Sequence, residues 1–518
     1  MTEVERQIAA RRARLALATR REQYAIAVAL GIFLSTSALA GLGLSRALAL
    51  PVHTCALAGT VLLIGALAWR VAASRARKSA AYALDWRLRA KRRRDDDHAF
   101  GQDAGVAYGD PGHAFALDLD VFGAGSLYER LNDCHTVLGR DALAELLREP
   151  PSHTIDERQA AVRELVADMA WRESLEVELC HLRDLGSRDP LERRHLENDT
   201  RALLEWAPAP PTRSRRGVVN VLAALASIAA AGHVALDWPW AALAPFYLTN
   251  LTILLLRRDL NLLLTRFVRV RATLRAWSRV LCVLERAAPR ARVLCELRAE
   301  LFLGSTSASR AIARLSRLAD RLAQRKNPLW FFSFDVLWLV DLRVRRDLLA
   351  WQAEHGPFLA RWLRAAARLE ALNSLAAYAE AAVAGTWPVV RADGPVFAAR
   401  DLAHPLLPAR TRVGNDLELL EPGTVLLVTG SNMSGKSTWL RAVGLAVVMA
   451  RLGLPVTASH LAMRDADVVT AMRVQDSLQS GSSRFHAEVH RIGSVSITCA
   501  GDRSAWCCST RSSPAQLA

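Results

Sequence analysis

The sequence predicts a multidomain protein with membrane helices, an all-α core or lever domain, and a C-terminal α/β domain that is incomplete at its C-terminus. Three observations support this. Two long uncharged segments lie near the start, amphipathic stretches fill the middle, and a glycine-rich turn separates a β-like run from a helical one near residue 430. A chain of 518 residues is also long enough to expect several domains.

The composition bounds the class of protein. A formal charge of +16, mostly from arginine, suits contact with nucleic acid or with anionic lipid. The alternative is that an Ala/Arg-rich composition reflects coding bias and that the arginines only solvate helices. Eight scattered cysteines without metal-ligand spacing indicate a reducing, cytoplasmic setting rather than a disulfide-stabilised secreted domain.

The first apolar pair predicts a membrane hairpin over residues 23–70. Tyr24 to Leu44 is a run without a charged residue, and a second run extends to Trp69. Each is long enough to cross a hydrocarbon layer of about 30 Å. Arginines precede the first run and follow the second, so the basic segment 1–22 and the chain after the hairpin are expected in the cytoplasm, at the inner (cytoplasmic) membrane. The alternative is a pair of apolar helices buried in a soluble protein.

A second, weaker hairpin is predicted over residues 217–256. Arginines flank both of its ends, and the sequence between its two runs reads DWPW, which suits a membrane interface. The second run is short and contains Pro245 and Asn250. Burial within a soluble domain is the alternative here too.

The polar, periodic stretches predict a helical core or lever in two parts, residues 71–216 and 257–394. From Ser126 to Leu165, apolar residues recur at three- and four-residue spacing. Thr154 followed by Glu157 predicts a capping box at a helix start. Such amphipathic stretches pack on one another, so a bundle is expected.

Residues 395–492 predict an α/β nucleotide-binding domain with a phosphate-binding loop. The loop lies in the segment VTGSNMSGKSTWLRAVGL from residue 428, which fits the pattern G-x-x-x-x-G-K-[ST]. A strand is expected from Thr424 to Val428, and a helix follows the loop. The backbone amides and the ammonium group of the loop would hold ATP phosphates, and Ser437 would ligate Mg²⁺. The predicted cofactor-binding residues are Gly430, Ser431, Asn432, Met433, Ser434, Gly435, Lys436, Ser437 and Thr438.

The alternative is a chance match in a Gly/Ser-rich loop. The composition argues against it, because the chain has only four lysines, Lys78, Lys91, Lys326 and Lys436. One of them stands where the pattern requires a slim, flexible ammonium group.

The C-terminal half resembles the ATPase domain of the MutS family. The resemblance rests on three stretches, FAARDLAHPLLP, TGSNMSGKSTWLRAVGL and RVQDSLQSGSSRFHAEVHRI, and extends over roughly residues 100–492 apart from the second apolar hairpin. It implies a homodimer that sandwiches ATP and couples nucleotide state to movement of the helical levers. DNA mismatch repair and the binding of mismatched DNA are functions of the family, but mismatch recognition is not carried over to this chain. The resemblance also implies that a loop with Ser483, Phe485 and Glu488 reaches the partner's nucleotide, with Asp476 and Ser477 near the interface. The N-terminal mismatch-reading domain of the family's repair members is replaced by the apolar hairpin, so DNA remains only a possible partner.

The tail, residues 493–518, departs from the family. An ATPase of this kind needs an acidic pair after a strand, for Mg²⁺ and for the attacking water. The tail instead contains AWCCSTRSSPAQLA, whose codons, read one base earlier, permit LVLLDEILAGT, the sequence the family has there. We therefore expect that the reading frame was lost between about residues 492 and 505, and that the chain as written does not hydrolyse ATP efficiently. A genuinely divergent tail is the alternative.

The sequence is compatible with three functions. The first is a membrane-tethered, MutS-like ATPase that works as a dimer, possibly on DNA. The second is a membrane scaffold whose nucleotide site only regulates assembly and which does not contact DNA. The third, a component of an ABC-type transporter, predicts an LSGGQ-like signature, and QSGSSRF is the nearest string in the sequence.

Overall fold

The computed structural model describes most of the chain and leaves several segments undescribed. The described residues are 3–44, 52–95, 103–110, 112–149, 153–186, 199–208, 228, 267, 270–324, 340–382, 385–431, 433–472 and 505–509. The predicted second hairpin, apart from residue 228, lies outside them.

The protein is mostly helical, with short strands in its C-terminal part. The helices are α1 (Glu3–Leu44), α2 (Val52–Asp95), α3 (Leu127–Leu131), α4 (Val137–Arg148), α5 (Ile155–Ala167), α6 (Met169–Arg183), α7 (199–206), α8 (270–286), α9 (Arg292–Ala299), α10 (Ala308–Gln324), α11 (Val340–Ala381) and α12 (Lys436–Arg451). The strands are β1 (Phe302–Leu303), β2 (Thr306–Ser307), β3 (Val389–Val390), β4 (Phe397–Leu402), β5 (Asn415–Leu419), β6 (His460–Met463), β7 (Asp467–Ala471) and β8 (Ala505–Ser509).

Helices α1 and α2 form a long antiparallel pair. At 42 and 44 residues, each extends for more than 60 Å at about 1.5 Å per residue. The two helices touch at Gly59, where an added Cβ would collide with the Thr36 side chain, and they are joined by the ion pair between Arg77 and Glu22. By length and composition alone, both contain a segment that could cross a membrane.

The polar ends of this pair are anchored on the helical core. Glu380, in the last turn of α11, accepts hydrogen bonds from Arg87 of α2 at 2.7 Å and from Arg172 of α6 at 2.8 Å. Both guanidinium groups lie about 5–6 Å from the Trp86 ring centroid, at 5.2 and 5.6 Å. Arg87 and Arg172 are 3% and 0% exposed. The joint is therefore buried, and it connects the hairpin to the helix that leads into the α/β domain.

Helices α3 to α11 pack around one apolar core, and side-chain caps start several of them. Ser126, Thr136 and Thr154 cap α3, α4 and α5. The capping box between Thr154 and Glu157 is present, as the sequence predicts. The buried Glu370 of α11 reaches the start of α4, where its Oε1 accepts from the backbone amide of Thr136 at 2.9 Å. These contacts satisfy amide groups that a helix start leaves unpaired.

The strands form two sheets in the α/β part, apart from the β1–β2 hairpin. One sheet has the order β3-β6-β4-β5, with β3 parallel to β6 and the other neighbours antiparallel. The second consists of β7 and β8, which are parallel, with Asp467 opposite Ala505 and Ala471 opposite Ser509. Helix α12 packs near this second pair.

The predicted strand from Thr424 to Val428 is wrong for the described structure. This segment has no regular secondary structure, and Val425 and Leu427 are 90% and 79% exposed. The physical reason is pairing, because a single strand is stabilised only by hydrogen bonds to a neighbouring strand. None of the strands in the described ranges pairs with this segment.

Candidate nucleotide site

The glycine-rich loop turns sharply into α12. Gly435 has φ of 86°, a left-handed conformation that glycine adopts without steric cost, and Met433 also has a positive φ of 67°. The Nζ atom of Lys436 donates to the carbonyl oxygens of Gly430 at 2.6 Å and Ser431 at 2.5 Å. The lysine therefore folds back across the loop and places a positive charge inside its curve.

The start of α12 offers free amide donors. Gly435 occupies the N-cap without a side-chain hydrogen bond, and the first helical bond runs from Trp439 N to Gly435 O at 2.9 Å. The amides of Lys436, Ser437 and Thr438 precede that bond and have no acceptor within the helix. Such amides, together with the positive end of the helix dipole, attract a phosphate. These amides fit a polyphosphate. Ser437 is exposed, and its hydroxyl is an oxygen ligand of the kind that Mg²⁺ prefers.

The helix after the loop is fastened to the helical core. Arg441 Nε donates to the main-chain oxygen of Asp118 at 2.9 Å, and Arg441 Nη1 lies 3.4 Å from Asp120 Oδ2. At Gly444 an added Cβ would lie 2.8 Å from a methyl carbon of the buried Leu119. The backbone of α12 therefore lies close against the segment 115–121.

The Asp118 carboxylate extends this connection to β7. It is fully buried, and its Oδ2 accepts from Thr470 Oγ1 at 2.8 Å and from the backbone amide of Met472 at 3.0 Å. A single residue of the helical core thus bonds both to the helix that follows the loop and to the carboxyl end of β7.

These contacts fix the direction of α12 relative to the strands. Arg451, at the end of α12, pairs with Asp467 at the start of β7 at 2.8 Å. Arg441, nearer the start of α12, is linked through Asp118 to Met472, just after β7. Helix α12 therefore runs antiparallel to β7 and β8, and the carboxyl ends of both strands lie toward the loop. Ligands of open α/β sheets bind at such strand ends.

A buried group of possible metal ligands, His135, Glu176 and Cys180, lies elsewhere, against α2. A guanidinium can only donate, so the 3.3 Å contact from Arg183 makes His135 Nδ1 an acceptor, and His135 Nε2 donates to Glu176 at 2.6 Å. A metal bound to Nε2 would leave the ring hydrogen on Nδ1. That hydrogen would face the N–H group of Arg183, which is also a donor. Since Arg89 also pairs with Glu176, the group is an ion-pair cluster rather than a cation site.

The structure describes only part of the predicted site. Among the cofactor-binding residues, Asn432 lies outside the described residues, as do all residues of the predicted trans-dimer loop, Ser483, Phe485 and Glu488, and Asp476 and Ser477. Only 505–509 of the tail is described, as β8. Sequence reasoning missed the link between Arg441 and Asp118. Asp118 lies in the acidic string ALDLD, residues 116–120. Nothing in that string indicates that it contacts Arg441, which lies 323 residues further along the chain.

Comparison with known proteins supports the reading of the C-terminal part. Residues 426–504 match the family described as MutS domain V. The chain is 35% identical over 201 residues to the DNA mismatch repair protein MutS of Granulibacter bethesdensis, covering 37% of this chain and 19% of that protein. It is 32% identical over 160 residues to the endonuclease MutS2 of Bacillus velezensis, covering 30% and 20%. It is 37% identical over 135 residues to the probable DNA mismatch repair protein Msh6 of Drosophila melanogaster, covering 25% and 11%.

The matched regions span at most a fifth of the length of these relatives, so the likeness concerns one part of them. The family match nevertheless contains the loop, α12 and β7, whose geometry is described above. On these grounds, the C-terminal part of the chain is similar to MutS-family proteins, and residues 426–504 match domain V of that family.

Proposed function

We propose that this protein is a membrane-tethered, MutS-like ATP-binding protein that works as a homodimer and couples the nucleotide to movement of the helical core. The observation that carries the proposal is the uncapped start of α12, with Lys436 folded into the loop, inside the segment that matches MutS domain V. An entering polyphosphate would replace the two carbonyl oxygens as the partner of Lys436 and would accept from the free amides of α12.

Each loop residue has a distinct task in this proposal. Lys436 would bind the terminal phosphates, the loop from Gly430 through Thr438 would supply amide donors, and Ser437 would ligate Mg²⁺. Mg²⁺ would neutralise charge that develops on the phosphates. A thermal shift titration tests this, because ATP with Mg²⁺ should raise the Tm of the intact protein but not that of the Gly435→Val variant. Gly435 has a φ of 86°, and a β-branched side chain would be strained in that backbone conformation. An equal shift in both proteins would count against the site.

We propose further that the reading frame of this gene is lost within the tail. Two observations support this. Strand β8 begins at Ala505, where the family match has just ended at residue 504, and the codons from residue 505, read one base earlier, permit Leu-Val-Leu-Leu-Asp-Glu. In that frame, the Asp and Glu would follow β8 at the strand edge that faces the loop, where Mg²⁺ and the attacking water are needed.

Resequencing of the genomic DNA decides the frame question. A single-base change between the codons for residues 492 and 505 should open a frame that encodes LVLLDEILAGT. If the DNA confirms the present frame, the tail is genuinely divergent. In the present frame, we expect ATP binding with very slow hydrolysis.

The membrane part of the proposal rests on exposed apolar surface. On α1, Leu30 and Leu34 are 56% and 58% exposed, and on α2, Leu62 and Ile64 are 59% and 62% exposed. Buried helices of a soluble core would hide such side chains, whereas a bilayer covers them. Close packing at Gly59 is typical of helix pairs in membranes. The protein should therefore sediment with the inner membrane and resist extraction by alkaline carbonate; release by carbonate would contradict insertion.

DNA binding and the trans-dimer role of Ser483, Phe485 and Glu488 complete the proposal. The relatives named as DNA mismatch repair proteins support DNA as a partner.

The second candidate is a scaffold whose nucleotide site regulates assembly without DNA, and it is favoured by the exposed, unpaired Thr424–Val428 segment beside the loop. Binding of duplex DNA that weakens steeply with salt would support the first candidate, since phosphate contacts release counterions. Absence of binding at low salt would favour the scaffold.

A further inference from the structure

The amphipathic helix α10 carries a continuous row of arginines on its exposed side. Arg310, Arg314, Arg317 and Arg321 are all exposed, at spacings of four, three and four residues. At 100° per residue these positions fall within about 60° of one another around the helix. The opposite side of the helix is buried through Ile312, Leu315, Leu318, Ala319 and Leu322. The row is therefore held outward by the packing of the apolar side.

The neighbouring helix α8 widens this row. Ser316 of α10 contacts the main-chain oxygen of Arg271 at 3.5 Å, and Arg275 pairs with Asp320 at 2.6 Å, so the helices lie side by side. Arg271 and Arg275 are both exposed, one helical turn apart. We call the six residues the arginine face; they are Arg271, Arg275, Arg310, Arg314, Arg317 and Arg321.

Few carboxylates neutralise the arginine face. Asp320 pairs with Arg275, and Glu354 lies 3.6 Å from Arg314. Within the described ranges, Arg317 and Arg321 have no carboxylate partner. The surface therefore keeps a net positive charge, and guanidinium groups are suited to bind phosphodiesters through paired hydrogen bonds.

The sequence on either side of these helices indicates which polyanion is involved. The chain between α10 and α11 contains WFFSFDVLW (residues 330–338), with five aromatic residues, a short distance after Arg325 and Lys326. On the other side, the apolar run that ends at Leu256 lies a short distance before α8, which begins at residue 270. Aromatic residues beside basic ones are typical of segments at a membrane surface. A protein surface that binds nucleic acid does not require long apolar segments on both sides of a basic helix pair.

We propose that the arginine face binds the anionic headgroups of the membrane, as a second contact in addition to the α1–α2 hairpin. The inference rests on the membrane tether of the proposed function and adds a lipid class to it. In this arrangement, the hairpin anchors the protein in any bilayer, and the arginine face holds α8 and α10 down only where the surface is negatively charged.

The test compares two triple variants of the full-length chain. Arg314→Gln/Arg317→Gln/Arg321→Gln removes half of the face. The control, Arg361→Gln/Arg364→Gln/Arg368→Gln, removes three exposed arginines of α11 at the same spacing. Arg314 and Arg361 are 46% and 50% exposed, and each lies 3.6 Å from one glutamate. The control also removes a surface pair between Arg368 and Glu145 at 3.3 Å, so it perturbs surface ion pairs at least as much as the face variant does.

Each protein is placed in nanodiscs of phosphatidylcholine, with or without phosphatidylglycerol, and amide hydrogen exchange of α10 is measured. In the wild type and the control, we expect exchange at least about fivefold slower in the anionic discs, equivalent to roughly one surface arginine contact. The face variant should lose this difference, and high salt should abolish it in all proteins.

Other results are equally informative. Equal exchange of wild-type α10 in both lipids would overturn the proposal, and so would equal loss in the control variant. Salt-sensitive binding of duplex DNA by the wild type but not the face variant, without a lipid effect, would assign the face to nucleic acid instead. Failure of the protein to enter neutral discs at all would refute the hairpin tether, a result distinct from loss of the anionic preference.

Discussion

Arg441 of α12 donates its Nε hydrogen to the main-chain oxygen of Asp118, 2.9 Å away, while the Asp118 carboxylate accepts from the residues at the end of β7. The helix that starts at the nucleotide loop and the strand that ends beside it are thus both bonded to one residue of the helical core. A shift of α12 upon nucleotide binding would act directly on this residue.

Replacing Arg441 by Met should loosen α12. The substitution keeps an apolar stem but removes the hydrogen bond that Arg441 donates to the Asp118 oxygen and the positive charge beside Asp120, at a cost of about 1–3 kcal/mol. Hydrogen exchange of residues 436–451 should become correspondingly faster. Arg410→Met, at an exposed position in a loop, is the control and should leave the exchange of α12 unchanged. Identical exchange in both variants would mean that the bond to Asp118 does not stabilise α12.

Gly444 should tolerate no side chain while Leu119 is present. Alanine is a better helix former than glycine, yet its Cβ would lie 2.8 Å from the buried Leu119 side chain, so Gly444→Ala should lower stability by roughly 1–3 kcal/mol. In the Leu119→Ala background, which removes the clashing methyl groups, the same change should be neutral or stabilising. Additive effects of the two changes in urea unfolding would contradict this contact.

His404 should contribute to acid sensitivity. Burial, followed by the positive charge of Arg441, lowers the pKa of His404 to about 4. The unfolded chain binds the proton below about pH 6.5 and the folded protein only below about pH 4, so stability should fall as pH decreases through that window. His404→Asn keeps an acceptor for the Leu406 amide without titrating. Its Tm should fall less between pH 6.5 and pH 4; an unchanged slope would exclude His404.

The buried joint at Glu380 should be sensitive to loss of charge. Glu380→Gln leaves the guanidinium groups of Arg87 and Arg172 without a counter-charge in a buried site, which costs about 3–5 kcal/mol. Asp85→Asn removes an exposed carboxylate from its pair with Arg89, which keeps its pairs with Asp133 and Glu176, and should cost well below about 1 kcal/mol. Detergent-solubilised proteins can be compared by their Tm. Similar losses in the two variants would contradict the role of Glu380 as the anchor of the hairpin.

Local features were predictable from the sequence, and long-range pairing was not. The capping box of Thr154 and Glu157 and the start of a helix at the loop depend on residues within one turn, so pattern reasoning reaches them. The strand predicted at Thr424–Val428 failed because strand formation depends on a partner far away in the chain. The bond between Arg441 and Asp118 was missed for the same reason, since nothing local to either residue indicates the other.

The central claim is that Lys436 and the amides around it hold the phosphates of ATP. Equilibrium binding of labelled ATP with Mg²⁺ to the intact, detergent-solubilised protein tests it most directly. It should be compared with Lys436→Ala and with the control Lys91→Ala, another of the four lysines, which pairs with Asp95 on the surface. Binding should be saturable in the wild type and in Lys91→Ala and at least about tenfold weaker in Lys436→Ala, the loss of one charge-assisted contact. Equal binding by all three proteins, or none by the wild type, would contradict the account.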